Sequence, residues 1–335
     1  MAKEPKYKVL ITGGAGFIGS YLTRVLLEHG HMVLCLDNLS TGKLENIEEI
    51  EDDPNFIFHQ GDIRDAEICR RAASGVDYVV HLAALGSVPR SFKDPETTKA
   101  VNVEGFKNVI EATRLAGIKR FIYASSSSVY GDSKELPKVE DKIGKPLSPY
   151  AETKLENEKI AAQYAKDFGM ECAGLRFFNV FGPRQDPQSE YAAVIPLWAK
   201  LFLEGRSPVI NGKGEYSRDF TYVDNAVSAI INAMFVPTEN LITLGDKQDV
   251  ANQVFNVAGG AQTTLLELFN TMRGSLAEFK PSIEKIEPTF GPYREGDIPH
   301  SLASIDKAVE FLEYEPEWSA QEGIELVCEW YTENL

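Results

Sequence analysis

Between the apolar run Lys8–Thr12 and the amphipathic stretch Phe17–Glu28 lies Gly13-Gly14-Ala15-Gly16-Phe17-Ile18-Gly19, and no other segment limits the fold as tightly. A strand that enters a helix through small residues lets the backbone approach an anionic group. The helix amino terminus then favours its negative charge. Gly13, Gly16 and Gly19, with Phe17 and Ile18 at the helix start, are candidate contacts for a pyrophosphate. A ligand-free glycine turn would be spelled the same way, but the flanking strand and helix favour the nucleotide cradle.

The first half of the chain repeats this rhythm. Candidate strands Lys8–Thr12, Met32–Asp37, Asn55–Gln60, Tyr78–His81, Arg120–Ala124 and Cys172–Phe177 alternate with helical stretches such as Phe17–Glu28 and Val101–Ala116. The pattern predicts an α/β fold: a doubly wound parallel Rossmann sheet with helices on both faces. After Val180, Pro183, Pro187, Pro196 and Pro208 interrupt the rhythm, and Gly205, Gly212 and Gly214 add loops. This half reads as a smaller α+β lobe closing over the carboxyl ends of the strands. The expected division is a cofactor domain over residues 1–180, with returns at about 218–236 and 253–258. Residues 181–335 then form mainly the substrate-binding lobe.

Length and charge narrow the function. A chain of 335 residues buries a full core, and its net charge of −16 argues against nucleic acid or an anionic membrane as partner. A few arginines can still make one pocket locally positive. Cys35, Cys69, Cys172 and Cys328 lie far apart and read as free thiols. The five histidines form no ligand pattern, so no metal is expected. No long apolar stretch follows Met1, and the expected compartment is the cytoplasm.

Asp37 ends the second candidate strand. A carboxylate there accepts hydrogen bonds from ribose hydroxyls and repels a 2′-phosphate, which favours NAD over NADP. Asp37-Asn38 also suits a plain turn. Tyr150 and Lys154 lie one helical turn apart on one face. A phenol titrates at about 10 in water, too high for a base at neutral pH. The Lys154 cation, with that of a nicotinamide, lowers it towards the working range. Tyr-x-x-x-Lys occurs by chance in helices. Here it follows Ser125-Ser126-Ser127-Ser128-Val129-Tyr130-Gly131, which strengthens the reading.

The glycine turn, Asp62-Ile63, His81-Leu82-Ala83-Ala84, Asn102, the serine run, Tyr150-x-x-x-Lys154 and Arg176-Phe177-Phe178-Asn179 together resemble the extended short-chain dehydrogenase/reductase family. The resemblance implies a catalytic trio of Ser126, Tyr150 and Lys154. It also implies cofactor contacts from Asn38, Gly42, Asp62, Ile63, Ala83, Ala84, Asn102, Phe177 and Val180. Asp62 as a loop cap stays open, and His81 reads better as a satisfied core residue. Family members that eliminate water carry an acidic pair after the serine, and decarboxylating members tend to carry Glu. Ser127 and Ser128 stand there instead, which favours oxidation and re-reduction at C4.

Longer blocks sharpen the resemblance: Ala83–Ser91, Gly144–Ala151, Gly182–Pro187 and Tyr191–Pro196 are similar to the UDP-N-acetylglucosamine 4-epimerase branch of that family. That implies a UDP-sugar substrate, tightly bound and recycled NAD, and a homodimer. The implied substrate contacts are Gly86, Ser87, Ser126, Ser127, Ser128, Tyr150, Asn179, Ala193, Val194, Asn211, Arg218, Arg294, Asp297 and Ser301. Arg218 and Arg294 would grip the diphosphate, although either could form a surface ion pair with Asp219 or Asp297. Ser301 would leave room for an N-acetyl group where galactose-pathway relatives carry tyrosine. Alternatives are a UDP-N-acetylglucosaminuronate 4-epimerase, a nucleotide-sugar decarboxylase and a non-catalytic NAD-sensing regulator.

Overall fold

The computed structural model describes residues 6–188, 192–243, 250–293 and 298–335. Strands β1 (Lys8–Thr12), β2 (Met32–Asp37), β3 (Phe56–Gln60), β4 (Tyr78–His81), β5 (Arg120–Ser126) and β6 (Glu171–Phe177) run parallel in the spatial order 3-2-1-4-5-6. Val250–Val257 adds in parallel beside β6, and Ile242–Thr243 closes that edge in antiparallel. The chain therefore leaves β1 in one direction and returns to β4 on its other side. The carboxyl ends of β1 and β4 form the switch point, where open sheets of this type bind ligands.

The inner strands are apolar almost throughout because helices cover both faces. On one face, Leu22, Leu26 and Leu27 of the Phe17–Glu28 helix join Val223, Ala226 and Ile230 of the Val223–Phe235 helix, and this cluster continues into the second lobe. The other face buries Cys69, Phe106, Val109, Ile110, Ala161 and Ala165 from three further helices. All four cysteines are buried and free. Among the described residues no helix is long and apolar enough to cross a membrane.

Two local readings need correction. The stretch expected as one helix over Val101–Ala116 is broken: Pro95–Lys99 leads into a π-helical turn, Ala100–Gly105, and a regular helix resumes at Phe106–Leu115. Such turns widen the helix by one residue and cluster at functional sites. Here the widening coincides with Gly105, where an added Cβ would lie 2.5 Å from Ile63 Cδ1. Arg218–Val236 supplies no strand to the main sheet: its Val223–Phe235 part is a helix packed on the Phe17–Glu28 helix and on β5 and β6.

At the amino ends of the strands, a buried ion pair ties the sheet to the end of the Val223–Phe235 helix. Arg120 of β5 meets Glu171 of β6 at 2.6 Å, and donates to the carbonyls of Met234 and Val236, which end the Val223–Phe235 helix. Thr238 adds a hydrogen bond to the same carboxylate. Removing one member of a buried pair strands the other charge. Arg120→Met should therefore lower unfolding free energy by about 3–5 kcal/mol in urea denaturation.

Candidate active site

A cleft of about 1150 Å³ opens at the switch point. It is lined by the Gly13–Gly19 turn, the ends of β2, β4, β5 and β6, and residues of the second lobe. Its dinucleotide end is shaped by missing side chains. A Cβ on Gly13 would lie 2.7 Å from the Ala83 nitrogen, and one on Gly19 would strike the Gly13 carbonyl. Gly16 begins the Phe17–Glu28 helix with no side-chain cap, so its first N–H groups are left for a ligand.

Asp37 sits at the end of β2 on the cleft wall. Its carboxylate accepts from the amides of Ala15 at 3.1 Å and Leu39 at 2.8 Å. Burial pushes its pKa up, against those amides. Together with the Asn38 amide these donors still leave carboxylate lone-pair capacity for a ribose hydroxyl. The cradle thus fits a dinucleotide with an unmodified ribose. Asn38, Ile63, Ala83, Ala84, Phe177 and Val180 also line the cleft, as do Phe17 and Ile18.

Three cofactor candidates stand behind that wall. Gly42 lies against the Asp37 carboxylate, where an added Cβ would come within 2.9 Å. Asp62 accepts from Asn38 at 3.0 Å and pairs with Arg64 at 2.7 Å, and hydrogen bonds from Arg64 hold it at about 2. Asn102, buried in the π-helical turn, receives the Leu85 amide at 2.8 Å and donates to the Leu85 carbonyl and Thr153. It positions the β4 loop and does not line the cleft. His81 is a core residue: its Nδ1 bonds Thr12 Oγ1 at 2.7 Å, and burial holds it neutral at about 3.

The proposed catalytic groups converge from two elements. Ser126 ends β5, and its Oγ accepts the Ser128 amide at 3.2 Å. Tyr150 and Lys154 come from the Pro149–Phe168 helix, which Ser148 caps and Pro149 opens. The Ser126 side chain draws the phenol's pKa down against burial, while the Lys154 ammonium lies 5.8 Å from the Tyr150 ring centroid and donates to the Ala124 carbonyl at 2.8 Å. The expected lowering of the phenol is not produced by the chain alone. Burial raises Tyr150, with Ser126 opposing it, and burial lowers Lys154 to about 8 against the pull of Glu158. A positively charged nicotinamide would supply the missing field.

Towards the second lobe the cleft wall carries Gly86, Ser87, Ser127, Ser128, Asn179, Arg218 and Ser301. The Ser128 hydroxyl is buried without a protein partner. Asn179 takes a left-handed backbone (φ 35°) and donates to the Asp219 carbonyl. Arg218 donates to the carbonyls of Ser217 and Pro299, and the Ser301 amide bonds the Ser217 carbonyl at 3.1 Å. Ala193, Val194 and Asn211 do not line the cleft. Arg294 and Asp297 lie outside the described residues. The wall also includes Lys138 and His300, which no motif had marked, and Arg90 and Gln185, which lie in the longer blocks but had been given no role. Among the described lining residues Asp37 is the single carboxylate, opposite Arg90, Lys138, Lys154 and Arg218. An acidic protein thus presents a cationic cleft, suited to an anionic substrate.

A doubly wound sheet, a glycine cradle and a Ser–Tyr–Lys cluster define an extended short-chain dehydrogenase/reductase. Residues 9–245 match the model of the "NAD dependent epimerase/dehydratase family", and the chain belongs to that family. The chain is 37% identical to a UDP-glucose 4-epimerase of Mycolicibacterium smegmatis, over 97% of this chain and 98% of that one. It superposes with a TM-score of 0.89 on the UDP-N-acetylglucosamine 4-epimerase of Methanobrevibacter ruminantium, solved with UDP-N-acetylmuramic acid. Identity there is 35%, covering 99% of this chain and 100% of that chain. The UDP-glucuronic acid 4-epimerase of Bacillus cereus, bound to UDP-glucuronic acid and NAD, gives a TM-score of 0.83 at 30% identity, over 98% of this chain and all of that one. The chain is an NAD-dependent enzyme of the UDP-sugar 4-epimerase kind.

The lowered Lys154 sets a pH signature. Its ammonium loses a proton at about 8 in the folded chain but near the ordinary 10.5 when unfolded, so between those values the unfolded chain binds more protons. Stability gained from this group therefore rises with pH across that window. Urea titrations of NAD-free protein should show the gain, and Lys154→Met should abolish it.

Proposed function

We propose that this enzyme interconverts UDP-N-acetylglucosamine and UDP-N-acetylgalactosamine, with UDP-glucose and UDP-galactose as further substrates. One observation carries the reading: Ser126, Tyr150 and Lys154 line a cleft that also contains Ser301, and whose only described carboxylate, Asp37, ends β2 at the dinucleotide end. Elimination of water needs an acid beside the leaving hydroxyl. Here Ser127 and Ser128 occupy the turn after Ser126.

In this reading Tyr150 takes the O4 proton as the C4–H bond breaks, leaving a 4-keto sugar. NAD, when bound, supplies the acceptor and then the donor of the hydride. The keto sugar turns to present its other face, and Tyr150 returns the proton to O4. Ser126 holds the same oxygen, and Lys154 keeps positive charge beside the phenol. Arg218 and Asn179 support the diphosphate while the sugar stays loosely held. Residues 1–180 with the later returns serve the cofactor, and 181–335 chiefly serve the UDP-sugar.

We further read the enzyme as a cytoplasmic homodimer pairing through the helices of residues 96–116 and 149–168. Val103, Phe106, Val109 and Ile110 lie in the core of one chain, so such an interface would use other positions.

The decisive assay measures UDP-N-acetylgalactosamine formed from UDP-N-acetylglucosamine by purified enzyme without added NAD. A pentose product, or turnover confined to non-acetylated sugars, would refute the reading. Tyr150→Phe should lower kcat by at least about 100-fold while leaving UDP affinity unchanged. Ser301→Tyr should abolish turnover of N-acetylated sugars and retain that of UDP-glucose. Equal decline on both sugars would remove Ser301 from its role.

A further inference from the structure

Among the described residues, four lysines and arginines are buried: Arg120, Lys138, Lys154 and Arg176. The two arginines each hold a carboxylate, Glu171 at 2.6 Å and Glu158 at 2.8 Å. Neither lysine has a carboxylate within 4.0 Å among the described residues, and both line the cleft. A buried cation is costly unless an anion or a set of hydrogen bonds matches it. The charge of Lys154 is used by the phenol beside it. That of Lys138 has no such use.

Lys138 is 5% exposed, and its ammonium donates to one group, the Ser133 carbonyl, at 2.5 Å. An ammonium has three N–H donors, so two are not accounted for by the chain. Burial lowers its pKa, with only the more distant charge of Glu135 opposing. Its backbone is rigidly placed. The amide donates to the Leu302 carbonyl at 2.7 Å, and its carbonyl accepts from Ser304 and from Asn256. Lys138 pairs with Ala303 as an isolated bridge. These contacts hold it between the segment that follows Ser301 and the turn that follows Ser128.

We propose that Lys138 is a specificity-determining residue that reads a carboxylate carried by the hexose of the substrate, so that the cleft takes acidic as well as neutral UDP-hexosamines. The proposal rests on the assignment of this end of the cleft to the sugar. The same charge could instead meet the diphosphate, and the experiment separates the two.

The test compares NAD-loaded wild type, Lys138→Met and Lys138→Arg. Affinities are measured for UDP alone and for two matched pairs: UDP-N-acetylglucosamine with its C6 uronate, and UDP-glucose with UDP-glucuronate. In Lys138→Met the affinity for both uronates should fall about 10- to 100-fold, the worth of one charge-assisted bond. UDP and the neutral sugars should be unaffected, and Lys138→Arg should restore most of the loss. Three outcomes overturn the proposal: equal loss on acidic and neutral sugars, loss on UDP alone, or unchanged uronate affinity. If wild type rejects both N-acetylated sugars, the substrate assignment above fails, while the glucose pair still decides the role of Lys138.

Discussion

The site depends on one buried ion pair. Glu158 lies one turn beyond Lys154 on the Pro149–Phe168 helix, and Arg176 lies near the end of β6. They meet through two bonds, at 2.9 and 2.8 Å, in surroundings that leave both almost fully buried. The Ser125 hydroxyl donates to the same carboxylate at 2.5 Å, and Arg176 also reaches Tyr130 and the Glu140 carbonyl. Tyr130 continues to Asn256 on the adjoining strand. Desolvating two charges is expensive, so a network of this kind persists where every donor and acceptor is matched. Here the match fixes the helix bearing Tyr150 and Lys154 against the strand end bearing Ser126. The phenol and the serine can share one substrate oxygen only if those two elements keep their spacing.

The same pair tunes the chemistry. Burial draws Lys154 down, and the Glu158 charge one turn away draws it back up. Without Glu158 the ammonium would be further depressed and would offer the phenol less positive field. Burial also raises Tyr150 itself. The chain alone therefore holds a protonated phenol beside a lysine that stays cationic at neutral pH, a resting state that does not act as a base. In the proposed mechanism base strength would be conditional on a cofactor cation, which would couple proton abstraction to the presence of the hydride acceptor.

Much of this was legible from local pattern. The strands from Lys8 to Phe177 follow apolar runs bounded by polar or glycine residues, and their bounds fall within a residue or two of the sequence reading. Motif residues at strand ends, such as Asp37, Ser126 and Phe177, line the cleft because the switch point gathers strand ends. What stayed hidden depends on tertiary contact. The π-helical turn that carries Asn102 reflects the close approach of Gly105 to Ile63, far apart in sequence. Lys138 sits in a polar loop whose spelling resembles any solvated segment; only the bridge to Ala303 brings it inside. The Asp219 carboxylate, adjacent to Arg218, looked like a possible surface partner. It turns inward instead and accepts the amides of Gly259, Gly260 and Ala303.

That inward turn explains how the cleft can be tight at one end and loose at the other. Asp219 is fully buried, and burial raises it to about 6 against backbone donors from Ala303, Gly259, Gly260 and Ala261. It ties together the segment bearing Arg218, the loop after Val257 and the segment following Ser301. The part of the cleft wall that carries Arg218 is thereby fixed. The end proposed for the sugar has no such crowding: a Cβ on Gly86 would meet nothing within 4 Å, and Ser301 is small. Inverting one carbon by presenting opposite faces of the sugar to one cofactor requires this inequality. Binding energy spent on the hexose ring itself would oppose its turning, whereas energy spent on the nucleotide is neutral to it. Discrimination between sugars is then best placed on substituents at the ring's edge, where a single fixed charge or a single small side chain can act without gripping the ring.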